Sequence, residues 1–355
     1  MDIWRLILLS LSAFLAVGIG LLLFLRLPMS VQRLFCQHFR RRDIHQKQIP
    51  RVGGVVIIPV TLTLFLLSML FGILESNIPW EGITLGALFV LGYGIWDEQR
   101  DLSWKVQLII QIVIGMILVV SKITIAGVMI PFVGLWELEN TLWQVGGMSF
   151  YPLSAIVSIL WVVGLMNVVN WLDGLDGLAS GIGIIAFVTL TLLALTPFVG
   201  QYHIAVLSMI LVGSYAGALW FNWYPAKIFL GTTGSMFLGY MLAVLSLMSG
   251  GKIGTSALVF AFPILDAGIV VLRRMSAGHS IFEADRRHLH YGLLDFGWSQ
   301  VQVVGFLYTI SIIFGVCSLL LGTVGKFWVF LLGMVILGTL TVWIKKSQQT
   351  ESFRS

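Results

Sequence analysis

Two aspartates three positions apart, in the run Asn170-Trp-Leu-Asp173-Gly-Leu-Asp176-Gly-Leu178, give this sequence its strongest chemical signal. Acids at that spacing share one face if the segment is helical. Two carboxylates beside an apolar run are costly unless a cation or a set of donors meets them. Gly174 and Gly177 let the backbone approach a ligand closely. The combination points to a metal or a phosphate, with a polar helix-terminal turn as the plain structural alternative. A second acidic set, Asp97-Glu98-Gln-Arg-Asp101, would put Asp97 and Asp101 one turn apart on a helix. Mg²⁺ takes carboxylate oxygens together with substrate phosphates, so this spacing suits a bridge to a diphosphate. Acids and bases mixed in a solvated loop would look the same.

Groups suited to anions lie further along. Phe221-Asn222-Trp-Tyr-Pro225-Ala-Lys227 leads into Gly231-Thr232-Thr-Gly234-Ser235, where a turn at a helix start could hold an anion through backbone N–H groups. The alternative there is a snorkelling lysine and a packing turn. Asp266, Arg273-Arg274 and His279 precede Asp285-Arg286-Arg287-His288-Leu-His290-Tyr291. Arginine forks match phosphate geometry and imidazoles donate to phosphate or sugar oxygens, although a basic loop at a lipid surface has the same composition. His288-x-His290 has no nearby cysteine or third histidine to make a zinc site. A fifth run, Arg40-Arg-Arg-Asp43-Ile-His45 to Pro50-Arg51-Val-Gly53-Gly54, reads on its arginines alone as a topology signal.

The elements that must position these groups are membrane helices. The 355 residues are 58% hydrophobic and 10% charged, whereas a soluble domain carries about a quarter charged residues. Apolar runs near 4–26, 52–74, 82–96, 106–121, 152–170, 178–197, 203–222, 228–249, 254–272, 301–322 and 324–344 read as transmembrane helices, about eleven in all. The expected fold is an all-α polytopic membrane protein in one integral-membrane domain, 1–355. The first run is too long for a signal-peptide core and reads as a retained helix. Residues 123–151 alternate polar and apolar types around Gly127, Pro131 and Gly146-Gly147, which suggests a short external β-hairpin. Cys36 and Cys317 read as unpaired thiols.

Alternating these spans puts all but Arg5, Lys122, Lys252 and Lys326 of the 21 basic residues on one side. By the positive-inside rule that side is cytoplasmic, with the N-terminus outside and the C-terminus inside. All five motifs then fall on the inner face.

Together the five ordered motifs resemble the polyprenyl-phosphate N-acetylhexosamine-1-phosphate transferases (glycosyltransferase family 4), most closely the undecaprenyl-phosphate N-acetylglucosamine-1-phosphate transferase branch. The resemblance runs from Arg42 to Gly297 and includes His45 to Gly54, Asp97 to Ser103, the intact Asn170 to Leu178 signature, Phe221 to Lys227, and Asp285 to His290. The last differs from the triple-histidine form of the muramoyl-pentapeptide relatives, which points away from a peptidoglycan substrate. The resemblance implies transfer of a sugar 1-phosphate from a UDP-N-acetylhexosamine to undecaprenyl phosphate with release of UMP. The setting would be a bacterial plasma membrane, at the start of a cell-surface glycan such as lipopolysaccharide O-antigen. It implies Mg²⁺, or Mn²⁺ in its place, contact with membrane lipids, a homodimer, and no nucleic acid. Carried over residue by residue, Asp97, Asp173 and Asp176 are the catalytic set and, with Thr232, the metal set. His45, Asn170, Asn222, Lys227, Arg286, His288 and His290 are the substrate-binding set.

The sequence departs from the family pattern at Asp43, Glu98 and Tyr291, where a lysine, an aspartate and a histidine are expected. It departs most at Thr232, which replaces an aspartate that is a principal magnesium ligand in the family. A lipid or sugar-phosphate transporter and a catalytically impaired scaffold remain as alternatives; flux without UMP formation would identify the first.

Overall fold

The computed structural model describes residues 3–36, 49–74, 78–145, 147–197, 199–249, 253–276, 278 and 288–352. The chain is an all-α polytopic membrane protein. Its long helices are α1 (Ile3–Leu25), α3 (Gly53–Leu70), α4 (Trp80–Arg100), α5 (Trp104–Val120), α6 (Pro152–Leu172), α7 (Leu178–Ala194), α8 (Tyr202–Asn222), α9 (Gly231–Met248), α11 (Ala261–Ser276), α13 (Gln300–Leu320) and α14 (Thr323–Ser352). Shorter helices are α2 (Met29–Gln32), α10 (Ile253–Val259) and α12 (Leu289–Asp295).

Seven helices among the described residues are long and apolar enough to cross a membrane. Two more apolar helices, α5 and α7, are 17 residues each. The single span expected over 254–272 is instead two helices, α10 and α11, that meet at Phe260. Pro263 has no N–H to bond the carbonyl four residues back, a loss that favours a break near that point, although α3 continues through Pro59. The expected single hairpin is two. Gly127–Ile130 (β1) pairs antiparallel with Gly134–Glu137 (β2), and Trp143–Val145 (β3) with Met148–Phe150 (β4).

The bundle is organised around α9. Its most apolar window is 94% buried, against 22% for α1, so α9 is the central post and α1 a peripheral helix. Helices α3, α4, α6, α7, α8 and α10 pack around it, while α1 lies on α8. Several polar groups inside this apolar shell are paired helix to helix, which matters where no water can satisfy them. Tyr240 donates to the Ile83 carbonyl of α4 (2.8 Å), Trp161 of α6 to Ser246 of α9 (2.7 Å), and Tyr215 of α8 to the Gly234 carbonyl (2.9 Å). At the entry to α13, Ser299 and Gln302 form a capping box that turns the chain out of α12.

Candidate active site

The post α9 begins with the turn Gly231-Thr232-Thr233-Gly234-Ser235, and the C-terminal ends of α4 and α6 converge on it. Thr232 Oγ1 donates to Asp97 Oδ2 at 2.7 Å, and Asp97 Oδ1 accepts from Leu102 N (3.1 Å) and Gln107 Nε2 (2.9 Å). Glu98 Oε1 accepts from both the backbone N–H and the hydroxyl of Thr233, at 3.0 and 3.1 Å. From α6, Asn170 Oδ1 accepts from Ser235 Oγ at 3.0 Å. Asp97 and Glu98 are buried. Burial pushes the Glu98 carboxyl, past the apolar stretch of α4, up to about 7 against the pull of the Thr233 donors and Arg51.

The Pro-Arg-x-Gly-Gly run explains itself here. Phe229 N donates to the Pro50 carbonyl (2.9 Å), Gly53 N to Phe229 O (3.0 Å) and Gly54 N to Leu230 O (3.1 Å), and Arg51 and Phe229 form a single parallel bridge. A Cβ on Gly54 would lie 2.6 Å from Gly234 Cα, so only glycine lets the two backbones meet.

The helical spacing expected of the acids is not what the chain adopts. Helix α6 ends at Leu172, and Asp173 and Asp176 occupy the turn that leads to α7 rather than one helix face. Helix α4 ends at Arg100, and Asp101 leaves it in the left-handed region (φ 50°), exposed, so Asp97 and Asp101 share no helical face. In both places the pairs sit where the helix stops.

Asp176 is buried and accepts from Ala226 N at 3.0 Å; Asp173 is half-buried and engaged. Asn222 is committed within the chain. Its carbonyl accepts from Gly177 N (3.1 Å) and Ser180 Oγ (3.3 Å), and its amide donates to Ile228 O (3.0 Å). It therefore ties the acidic turn to the Phe221–Lys227 segment. Lys227 is exposed at the end of that segment.

The imidazoles approach the same turn from α12. His288 Nδ1 lies 2.8 Å from Asp266 Oδ2 of α11. The His288 and His290 rings stack nearly parallel (centroids 5.5 Å apart, 8°), and Trp171 stands 6.3 Å from His288. His290 is fully buried, and among the described residues neither of its ring nitrogens has a hydrogen-bond partner. Burial, with some help from His288, pushes it down to about 3, so it is neutral at ordinary pH. A Cβ on Gly174 would come within 2.8 Å of His290 Nε2 and 2.6 Å of the Tyr291 hydroxyl.

The structure thus brings together Asp97 with Thr232, Asn170 with Ser235, Asp176 with Asn222's segment, and His288 and His290 with the Asp173–Asp176 turn. His45 and Arg286 lie outside the described residues, as does the rest of the basic run 279–287. Gln107 is a site neighbour outside every motif, while Thr233, Ser235 and Asp266 lie within the motif runs but carry no expected role as site residues. Asp266 carried a signal as an acid within an apolar run, and Thr233 and Ser235 as part of the helix-start turn; Gln107 carried none. Among the described residues no three His, Cys, Asp or Glu side chains form a group that could hold a metal ion. Mg²⁺ asks for less, one or two carboxylates completed by substrate phosphates and water. Asp97 beside the Thr232 hydroxyl fits that partial coordination and does not fit a cage made by protein alone.

The family model described as "Glycosyl transferase family 4" matches residues 80–250. A probable undecaprenyl-phosphate N-acetylglucosaminyl 1-phosphate transferase of Bacillus subtilis (strain 168) is 33% identical over 79% of this chain and 75% of its own length. A decaprenyl-phosphate N-acetylglucosaminephosphotransferase of Mycobacterium leprae (strain TN) is 31% identical over 76% of this chain and 72% of its own. A phospho-N-acetylmuramoyl-pentapeptide-transferase of Shouchella clausii (strain KSM-K16) is 30% identical over 91% and 99%.

Proposed function

The chain belongs to glycosyl transferase family 4 and is a membrane-embedded polyprenyl-phosphate hexosamine-1-phosphate transferase, and we propose that its donor is UDP-N-acetylglucosamine, or a related UDP-N-acetylhexosamine, and its acceptor undecaprenyl phosphate. A phosphate oxygen of the lipid attacks the sugar-bearing phosphorus. The bond from that phosphorus to the oxygen shared with UMP breaks, UMP leaves, and the sugar keeps its anomeric oxygen in a lipid-linked diphosphate that starts a cell-surface glycan. No proton has to be taken from the acceptor, because a phosphate monoester has a second pKa of about 6.

Phosphoryl transfer of this kind asks the protein for position and charge balance rather than covalent chemistry. Asp97 anchors the reacting end of the bundle, held by Thr232, Gln107 and Leu102. Asp173 and Asp176 face the diphosphate from the α6–α7 turn, with Asn222 and Asn170 fixing that turn and the start of α9. Lys227, His288 and His290, with His45 and Arg286, serve the diphosphate and the leaving UMP. Mg²⁺, which Asp97 would hold with Thr232 as a weak neutral neighbour and substrate phosphates completing the shell, would supply neutralisation of phosphate charge when bound; the expected trio of Asp97, Asp173 and Asp176 forms no metal-holding group among the described residues. We place the reaction at the cytoplasmic face of a bacterial plasma membrane, in a chain of about eleven crossings with its N-terminus outside. The one-sided distribution of Lys and Arg supports that orientation.

The observation that carries the reading is the meeting of α4, α6 and α9 through Asp97–Thr232 and Asn170–Ser235, beside the turn that the imidazoles approach. Purified protein should release UMP from UDP-N-acetylglucosamine only when undecaprenyl phosphate is present, with a lipid product whose mass contains one sugar and two phosphates. A panel of UDP-sugars fixes the donor, and preference for the UDP-muramoyl-pentapeptide would overturn the N-acetylglucosamine assignment. No UMP from any donor would overturn the transferase assignment itself.

A further inference from the structure

We infer that Asp266 is a positioning residue for this site, acting through His288; the inference rests on the transferase reading above. Asp266 is the one ionisable residue in the run Phe260-Ala-Phe-Pro-Ile-Leu-Asp266-Ala-Gly-Ile-Val-Val-Leu272 of α10–α11, and it is only 6% exposed. A buried acid in an apolar helix is expensive to keep and persists where a donor set holds it. Both of its carboxylate oxygens face the histidine segment. Oδ2 meets His288 Nδ1 at 2.8 Å, and Oδ1 accepts from Leu289 N at 2.9 Å.

Those two contacts do different jobs. The first fixes the imidazole. A carboxylate accepts only, so the proton sits on Nδ1 and the ring edge bearing Nε2 is the one left for a substrate. The second fixes the backbone where the chain re-enters α12 after the basic run. With the ring clamped at one edge, its faces meet His290 and Trp171, which stands two residues before Asp173. His290 in turn fits against Gly174 between the two acids of the turn. A side chain on α11, absent from the expected catalytic, metal and substrate-binding sets, thereby sets where an imidazole sits relative to the Asp173–Asp176 turn. This is how a carboxylate behind a functional histidine works generally, by choosing tautomer and orientation.

The test compares full-length wild type, Asp266→Asn, Asp266→Glu, His288→Gln and the double variant Asp266→Asn/His288→Gln, with UMP release measured against each substrate in turn. We expect Asp266→Asn to lower kcat/KM for the UDP-sugar by about 30-fold, the middle of the range for such supporting groups, with KM for undecaprenyl phosphate within about twofold. Its effect should vanish in the His288→Gln background, because the two residues act as one unit. Asp266→Glu keeps an acceptor for both donors and should retain more activity than the isosteric Asn. A packing role would give the reverse order, and that order overturns the inference. So does an Asp266→Asn loss that multiplies fully with His288→Gln, or one that falls equally on the lipid phosphate. Should Asp266→Asn fail to accumulate, Asp266→Glu carries the same cycle against His288→Gln. If wild type releases no UMP, the transferase reading fails separately, and thermal shift by UDP-N-acetylglucosamine decides. Weaker binding in Asp266→Asn supports the positioning role, equal binding overturns it, and no binding by wild type overturns both.

Discussion

The carboxylate side and the imidazole side of the site are built by opposite means. Around the α9 turn, Asp97 and Glu98 are met by Leu102 N, Gln107, Thr232 and two groups of Thr233, and glycines bring backbone directly against backbone. Hydrogen bonds to charged acceptors are among the strong ones, so this side is a finished frame before any substrate arrives. The imidazole side has fewer polar ties, the Asp266 carboxylate among them, rests on apolar packing of α12 against α13 and α14 and on the notch at Gly174, and buries a histidine with neither nitrogen partnered among the described residues. An unspent buried polar group costs about 1–3 kcal/mol. A chain that carries that cost where a nucleotide sugar would bind keeps its adaptable half there and its rigid half under the acids.

The comparison breaks first at the glycines. Gly54→Ala places a methyl against the Gly234 backbone, which has no rotamer to yield. Overpacking of that kind costs about 3 kcal/mol. We expect a lower melting temperature from that cost and, because the α9 turn carrying Thr232 is displaced with it, UMP release down by about 100-fold, which corresponds to about 2.7 kcal/mol on the reaction barrier. Gly174→Ala meets the ends of two side chains, so its loss should be smaller, about tenfold, the effect of about 1.4 kcal/mol. Adding Tyr291→Phe, which removes the hydroxyl 2.6 Å from the new methyl, should restore part of it. Equal losses at the two positions, or no rescue by Tyr291→Phe, would mean that the halves are not built differently.

Thr232 sharpens the carboxylate side. Its hydroxyl donates to Asp97, a neutral solution to the problem of a buried acid. Thr232→Asp would set two carboxylates at hydrogen-bond distance, and like charges that close cannot both ionise without a cation between them. Without Mg²⁺ the variant should melt below wild type. With Mg²⁺ it should gain more stability than wild type does, and its half-saturating Mg²⁺ for UMP release should fall by about tenfold, a gain of about 1.4 kcal/mol in binding. Equal Mg²⁺ curves for both forms would remove position 232 from any metal role.

Much of this was legible in the sequence, for reasons that can be stated. The all-helical, polytopic character, the gathering of acids at helix ends and the Gly231–Ser235 helix start follow from hydropathy and turn chemistry, which are local. The pairing of Thr232 with Asp97 joins residues 135 apart and that of Asp266 with His288 residues 22 apart, and no local spacing encodes either; Gln107 reaches Asp97 over ten residues, across the α4–α5 turn. The i,i+3 reading of Asp173 and Asp176 failed for a physical reason. Gly174 and Gly177, chosen as signs of close approach, also end the helix that the spacing presumed. The break at Phe260 was visible in Pro263, yet a hydropathy run passes straight over a proline.

The smallest expected effect tests the imidazole side alone. Burial holds His290 near 3, below its ordinary 6.5, so the unfolded chain takes up the proton first. Stability from keeping this ring neutral is complete above pH 6.5 and is lost as pH falls toward the folded value. Between pH 7 and pH 5 the loss is roughly 2 kcal/mol, or about 1.36 kcal/mol for each pH unit below 6.5. Phenylalanine at this position keeps the ring and removes the titration, so His290→Phe should lose correspondingly less stability over that interval in an unfolding experiment. Parallel pH slopes for the two proteins would mean that His290 is protonated or partnered in the folded state. The imidazole side would then be as fully satisfied as the carboxylate side, and the contrast between them would go.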